Sequence, residues 1–61
     1  MGFRVLIVDD NGLVRDSLLT IVQLIHKEAV VDTAGTKAEA IRVIGEHRYD
    51  FIFLDLILDG D

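Results

Sequence analysis

Three aspartates stand where their carboxylates could do chemistry together. Asp9 and Asp10 directly follow the run Arg4–Val8, and Asp55 directly follows the apolar run Phe51–Leu54. Two carboxylates about 4 Å apart repel each other by roughly 4 kcal/mol at an effective dielectric of about 20. Solvent, protonation or a cation must offset this repulsion, and hard oxygen ligands favour Mg²⁺ or Mn²⁺ over zinc. Beside such an ion, a carboxylate can act as a nucleophile toward phosphorus.

The runs before these aspartates predict strands. Val5, Ile7 and Val8 are β-branched, which favours a strand over a helix. Phe51–Leu54 is an unbroken apolar run, a pattern typical of a strand that is buried on both faces. A weaker strand is predicted over 29–34. It is expected at the sheet edge because the charged residue Asp32 interrupts it.

Two segments between the strands show helical spacing. The apolar residues of the first follow i, i+3, i+4 spacing; they are Leu13, Val14, Leu18, Ile21, Val22 and Ile25. The second helix is predicted to begin at Thr36, because Thr36 and Glu39 match a capping box. His26 and His47 are expected on the surface, at the ends of the two helices.

The order strand, helix, strand, helix, strand predicts an α/β fold. Such alternation implies parallel strands joined by right-handed crossovers. The first and third strands are the most apolar, so we expect a three-stranded sheet in the order 2-1-3. Asp9, Asp10 and Asp55 then lie at one sheet edge, and they can reach one ion because adjacent strands are about 4.8 Å apart.

The composition narrows the class of protein. The 61 residues allow one domain, and the net charge of −5 argues against a nucleic-acid partner. There is no cysteine, no apolar run of membrane-spanning length and no signal-peptide pattern, so we expect no membrane partner and a cytoplasmic location. No glycine-rich loop follows the first strand, which argues against a dinucleotide site or P-loop.

Taken together, these motifs resemble the receiver domain of two-component response regulators. The matching segments follow one another in the family's order over almost the whole chain; they are Val8–Asn11, Leu13–Arg15, Thr33–Gly35, Ala38–Ala40 and Asp50–Leu56. The resemblance implies half of a flavodoxin-like fold. It also implies a phosphoacceptor rather than an enzyme, and a sensor histidine kinase as a partner.

The same resemblance assigns roles to residues. It implies that Asp55 is the phosphoacceptor and that Asp9 and Asp10 bind Mg²⁺ or Mn²⁺, with Asp10 as the direct ligand of the two. The backbone carbonyl of Ile57 would be a further ligand. One departure is Asp59, which stands four positions after Asp55 where the family usually has a proline.

A second departure is length. Receivers have a sheet in the order 2-1-3-4-5, and their conserved Thr or Ser and Lys come from the last two strands. Residues 1–61 are therefore predicted to be a truncated receiver domain that is impaired in switching. The alternative is a non-catalytic interaction module that self-associates. In a homodimer, strand 51–55 would pair antiparallel with its symmetry mate, or uncovered apolar faces would pack face to face.

Overall fold

The chain folds into a βαβαβ unit. The computed structural model describes residues 3–55. Its elements in chain order are β1 (Arg4–Val8), α1 (Gly12–Ile25), β2 (Val30–Ala34), α2 (Lys37–Glu46) and β3 (Phe51–Leu54). All pairings are parallel and the sheet order is β2-β1-β3, which confirms the predicted α/β class and strand order.

The central strand β1 carries the core. From Val5 to Val8 no residue is more than 1% exposed, and successive side chains alternate between the two faces of the sheet. Leu6 and Val8 pack with Ala34 and Ala40 on the α2 side. On the other face of the sheet, Val5 and Ile7 pack with Val22 of α1.

The prediction that β3 is buried on both faces is wrong. Its four residues are 47% to 60% exposed. The reason is position, since β3 ends the described sheet and pairs only with β1. Within residues 3–55, both core clusters gather on β1 and the elements that cover it, and neither includes a residue of β3.

Helix α1 buries a narrower apolar stripe than its sequence predicts. The side chain of Asn11 caps it by accepting from the amides of Leu13 and Val14. The helix covers β1 and β2, so only the side chains that point toward those strands are shielded. Leu18, Leu19 and Val22 pack there; Leu13, Val14, Ile21 and Ile25 of the predicted stripe are exposed.

Helix α2 begins at a modified capping box. Thr36 is the N-cap, and its hydroxyl oxygen accepts from the amide of Glu39 at 3.1 Å, as predicted. The carboxylate of Glu39 reaches back to the amide of Gly35, at 2.7 Å, instead of that of Thr36. Neither this helix nor α1, the helices of residues 3–55, has the length and apolar character needed to cross a membrane.

Candidate functional site

The carboxyl edge of the sheet gathers three acids. Asp9, Asp10 and Asp55 each offer one carboxylate oxygen, and these oxygens lie within 4.8 Å of one another. The structure therefore brings together the three side chains that the sequence singled out. Ile57 and Asp59 lie outside the described residues.

Backbone hydrogen bonds place the acids at this edge. The amide of Asp9 donates to the carbonyl of Ala34 at 3.1 Å, and the amide of Asp55 donates to the carbonyl of Val8 at 3.0 Å. The parallel ladder thus continues one residue beyond β1 and β3. Because these two acids are the first residues past neighbouring, hydrogen-bonded strands, the sheet sets their spacing.

Two side-chain hydrogen bonds hold the turn after β1, one from within the turn and one from α1. Oδ1 of Asp9 accepts from the amide of Asn11 at 2.9 Å. The carbonyl oxygen of Asp9 accepts from Nη1 of Arg15, also at 2.9 Å. One end of the turn is therefore tied to α1 by a hydrogen bond from Arg15, the fourth residue of that helix.

The acids are accessible to a ligand. Asp10 is exposed, whereas Asp9 and Asp55 are half-buried. A cavity of about 290 Å³ opens beside two of them, and it is lined by Val8, Asp9, Leu18, Phe53, Leu54 and Asp55. An ion or a small phosphorylated molecule can therefore approach Asp55 from solvent.

The donor set suits a small, hard cation. Ligand oxygens about 2.1 Å from an octahedral Mg²⁺ stand roughly 3 to 4 Å apart. The carboxylate oxygens of the cluster are separated by no more than 4.8 Å, so a shift of about an ångström, or a bridging water, brings them onto one ion. The residues present therefore fit Mg²⁺ or Mn²⁺.

The histidines lie away from the acidic cluster in sequence and contacts. His26 and His47 are the C-cap residues of α1 and α2, which confirms the prediction that they stand at helix ends. The ring of His26 packs edge-on against Phe3 at 4.9 Å between centroids. Nδ1 of His47 is 3.1 Å from Nη1 of Arg4.

A polar cluster on the α2 side of the sheet was not anticipated from the sequence. The hydroxyl of Tyr49 donates to Oδ2 of Asp32 at 2.7 Å, and Nε of Arg4 lies 3.4 Å from the same oxygen without completing a hydrogen bond. Burial, together with the hydrogen bond to Asp32 and the charge of Asp32, raises the pKa of Tyr49 to about 12. Asp32, the charged residue that interrupts the apolar pattern of β2, is therefore the centre of a structural cluster.

A parallel α/β unit with an acidic cluster at the carboxyl edge belongs to the doubly wound class, whose ligands bind at that edge. Comparison with known proteins gives the family. The profile of the response regulator receiver domain matches residues 5–61. The chain belongs to this family of receiver domains.

A curated relative supports the same assignment. The Transcriptional regulatory protein PmrA of Pectobacterium parmentieri is 40% identical over 58 residues, which is 95% of this chain. The match covers 25% of that protein, so the chain spans about a quarter of the length of this relative. No solved structure matches the chain.

Proposed function

We propose that this chain is the phosphoacceptor part of a two-component response regulator and that Asp55 accepts the phosphoryl group. The observation that carries the proposal is the gathering of three carboxylates at one sheet edge in a member of the receiver family. In the proposed step, a carboxylate oxygen of Asp55 bonds to the phosphorus of an acyl phosphate. The bond from phosphorus to the donor's oxygen breaks, and the donor leaves as a carboxylate.

The proposal includes a divalent metal. Asp9 and Asp10 would hold Mg²⁺ or Mn²⁺ beside Asp55, with Asp10 as the direct ligand, and the backbone carbonyl of Ile57 would complete the protein's ligand set. The metal would supply positive charge to the acids and to the phosphoryl oxygens. Support comes from the hard oxygen donors and their separations within 4.8 Å.

A titration with Mg²⁺ tests the metal site. We expect weak binding, followed by calorimetry or NMR, that is reduced in Asp10→Asn and in Asp55→Asn. Asp16→Asn is the matched control, because it removes one negative charge from an exposed residue of α1 outside the cluster. If the two site variants bind Mg²⁺ as the wild type does, the metal proposal is wrong.

Labelling with acetyl phosphate tests the acceptor. The 61 residues do not include the last two strands of a receiver, from which the Thr or Ser and the Lys of the family come. We therefore expect slow labelling or none, and no switch, when these residues are tested by themselves, because developing phosphoryl charge has fewer donors to stabilise it. Any label should map to Asp55 by mass spectrometry and vanish in Asp55→Asn. Fast, stable labelling would contradict the expected impairment, and label retained in the variant would contradict the acceptor role.

A sensor histidine kinase is the proposed phosphodonor partner, in line with family membership. With its phosphohistidine as donor, the bond from phosphorus to nitrogen would break and the imidazole would be the leaving group. A cytoplasmic location, and the absence of nucleic-acid and membrane partners for these residues, stay predictions.

Self-association is the second candidate function, and the exposure of β3 favours it. Phe51 to Leu54 are 47% to 60% exposed and stand at the end of the described sheet. Such an edge pairs readily with another chain. In the proposed homodimer, β3 pairs antiparallel with its mate in a sheet ordered 2-1-3-3′-1′-2′, and face-to-face packing of two sheets is the alternative geometry.

A further inference from the structure

The guanidinium of Arg15 lies between the loops that follow β1 and β2. Nη1 donates to the carbonyl of Asp9 at 2.9 Å in a partly buried position. The same atom is 2.7 Å from the point where a Cβ on Gly35 would stand, and Nη2 is 3.6 Å from the corresponding point at Gly12. The guanidinium therefore passes over Gly35 through space that any side chain at that position would need.

We propose that Arg15 is a positioning residue for the metal site, an inference that rests on the proposed function. The peptide unit between Asp9 and Asp10 is planar, so the direction of the Asp9 carbonyl also sets the direction of the Asp10 amide and Cα. By holding that carbonyl, Arg15 fixes where the Asp10 side chain starts. Asp10 is the proposed direct ligand, so its placement sets the affinity for the ion.

The other hydrogen bonds of Asp9 hold different atoms of the turn. The amide of Asp9 is held by Ala34, and its Oδ1 is held by Asn11. The bond to Asn11 closes a ring across the peptide that follows Asp9 and restrains that peptide in part, whereas the bond from Arg15 holds its carbonyl oxygen directly. Rotation of that plane would carry Asp10 with it, and the hydrogen bond from Arg15 opposes this rotation.

The neighbouring loop is built to receive the guanidinium. Gly35 supplies the open space, and its amide is held by the carboxylate of Glu39 at 2.7 Å, which keeps the loop against the start of α2. Nη1 makes both contacts from the end of a rigid, planar group, whereas a lysine would present one ammonium on a flexible stem and hold the Asp9 carbonyl less firmly. Arg15→Lys therefore keeps the charge and loses the geometry.

Two single variants, their double variant and one control test the proposal by Mg²⁺ titration of the whole 61-residue chain. Arg15→Lys alters the guanidinium directly. Gly35→Ala displaces it from the other side, because the new Cβ would stand 2.7 Å from Nη1 of Arg15, and the backbone at Gly35 is not left-handed. Oε1 of Glu39, at 3.9 Å from the same point, is at ordinary van der Waals distance. Gly45→Ala is the control, since its Cβ would meet nothing within 4 Å.

We expect Arg15→Lys and Gly35→Ala each to weaken Mg²⁺ binding about tenfold, the low end for loss of an outer-shell partner. The double variant should bind as weakly as either single one, because both changes remove the same contact. Gly45→Ala should bind Mg²⁺ like the wild type. Circular dichroism and thermal unfolding report whether each variant is folded.

The outcomes separate this inference from the function on which it rests. A wild type that binds Mg²⁺, with single variants of unchanged affinity, overturns the role of Arg15 and leaves the proposed function standing. Variants with lower melting temperatures but unchanged affinity also overturn it, because they show a purely structural role. Losses that add in the double variant show two separate effects and overturn it as well. A wild type that binds no Mg²⁺ overturns the metal site and the inference together.

Discussion

Strands β1 and β3 are similar in sequence and opposite in burial. Each contains an apolar run that is followed by aspartate, and the two pair residue by residue from Val5 with Phe51 to Val8 with Leu54. Yet Val5 to Val8 of β1 are at most 1% exposed, whereas the four residues of β3 are at least 47% exposed. Paired strands of nearly equal hydrophobicity thus differ almost completely in their contact with solvent.

The difference teaches that place in the sheet, rather than composition, decides burial here. β1 has a strand on each side and packs against helical residues on both faces. Within residues 3–55, β3 has a strand on one side only, so its apolar area is available to another surface. The hydrophobic effect is proportional to the area removed from water, so the two strands should contribute very differently to stability.

The largest effect on stability is expected when the side chains of the paired residues Ile7 and Phe53 are truncated to alanine. Ile7 is fully buried, so Ile7→Ala should lower the free energy of unfolding by about 3 kcal/mol, within the range of about 2 to 5 for such changes. Phe53→Ala should cost only about 1 kcal/mol, because the side chain is already 47% exposed. Urea unfolding of both variants measures the difference.

Because the chain is small, a less destabilising substitution of Ile7 is also needed. A domain of this length is expected to be stable by only about 3 to 9 kcal/mol, so Ile7→Ala can leave too little folded protein to measure. Ile7→Val should cost about 1 kcal/mol and keep the transition observable. Equal losses for Ile7→Ala and Phe53→Ala at low protein concentration would contradict the contrast between the strands.

Most of the fold could be predicted from local pattern. The β-branched run of β1, the helical spacing of α1 and the Thr36 cap each fix a local conformation, and alternation of strands and helices then restricts the topology. The burial of β3 could not be predicted in this way. An unbroken apolar run indicates two apolar faces but does not say whether other parts of the chain cover them.

The candidate site was predictable where it depends on topology and missed where it depends on side-chain reach. Asp9 and Asp55 end neighbouring strands, so parallel pairing alone brings them to one edge. The contact from Arg15 to the Asp9 carbonyl needs a long side chain to fold back past a glycine. Helical periodicity places Arg15 on the polar side of α1 and says nothing about its partner.

A smaller effect on stability, but a clear effect on assembly, is expected from Phe53→Lys. A charge on β3 opposes edge pairing, so the proposed homodimer should dissociate. Because a dimer's stability depends on protein concentration, the wild-type melting temperature should rise with concentration and that of the variant should not. Sedimentation at micromolar concentration measures the dimer directly.

Ile41→Lys is the matched control for this experiment. Ile41 is 63% exposed on α2, so the same change of an apolar side chain to lysine is made away from the edge of β3. The control should still form dimers. A folded wild type that sediments as a monomer, with a melting temperature independent of concentration, would rule the homodimer out.

Polar contacts hold the start of β3 against the start of β1, although the strand buries little. The amide of Arg4 donates to Oδ2 of Asp50 at 2.8 Å, and the amide of Asp50 donates to the carbonyl of Arg4 at 2.8 Å. Tyr49, the residue before Asp50, is anchored to Asp32 of β2. The segment that enters β3 is therefore fixed by hydrogen bonds at a point where apolar burial contributes little.

The smallest expected effect concerns that anchor and appears at high pH. Burial and Asp32 raise the pKa of Tyr49 to about 12 in the folded protein, against about 10 in an unfolded chain. Because the folded pKa is the higher one, the stability that Tyr49 contributes is complete below about pH 10 and is lost as the pH rises toward about 12.

The chain has one tyrosine and no tryptophan, so ultraviolet absorbance of tyrosinate reports this residue alone. We expect a midpoint near 12 in the folded protein and near 10 in urea, with circular dichroism recorded alongside to show that the fold persists. Asp32→Asn should lower the folded midpoint only part of the way, because burial is the largest single cause and remains. A folded protein whose Tyr49 titrates as it does in urea would show that the anchor does not hold the start of β3 in solution.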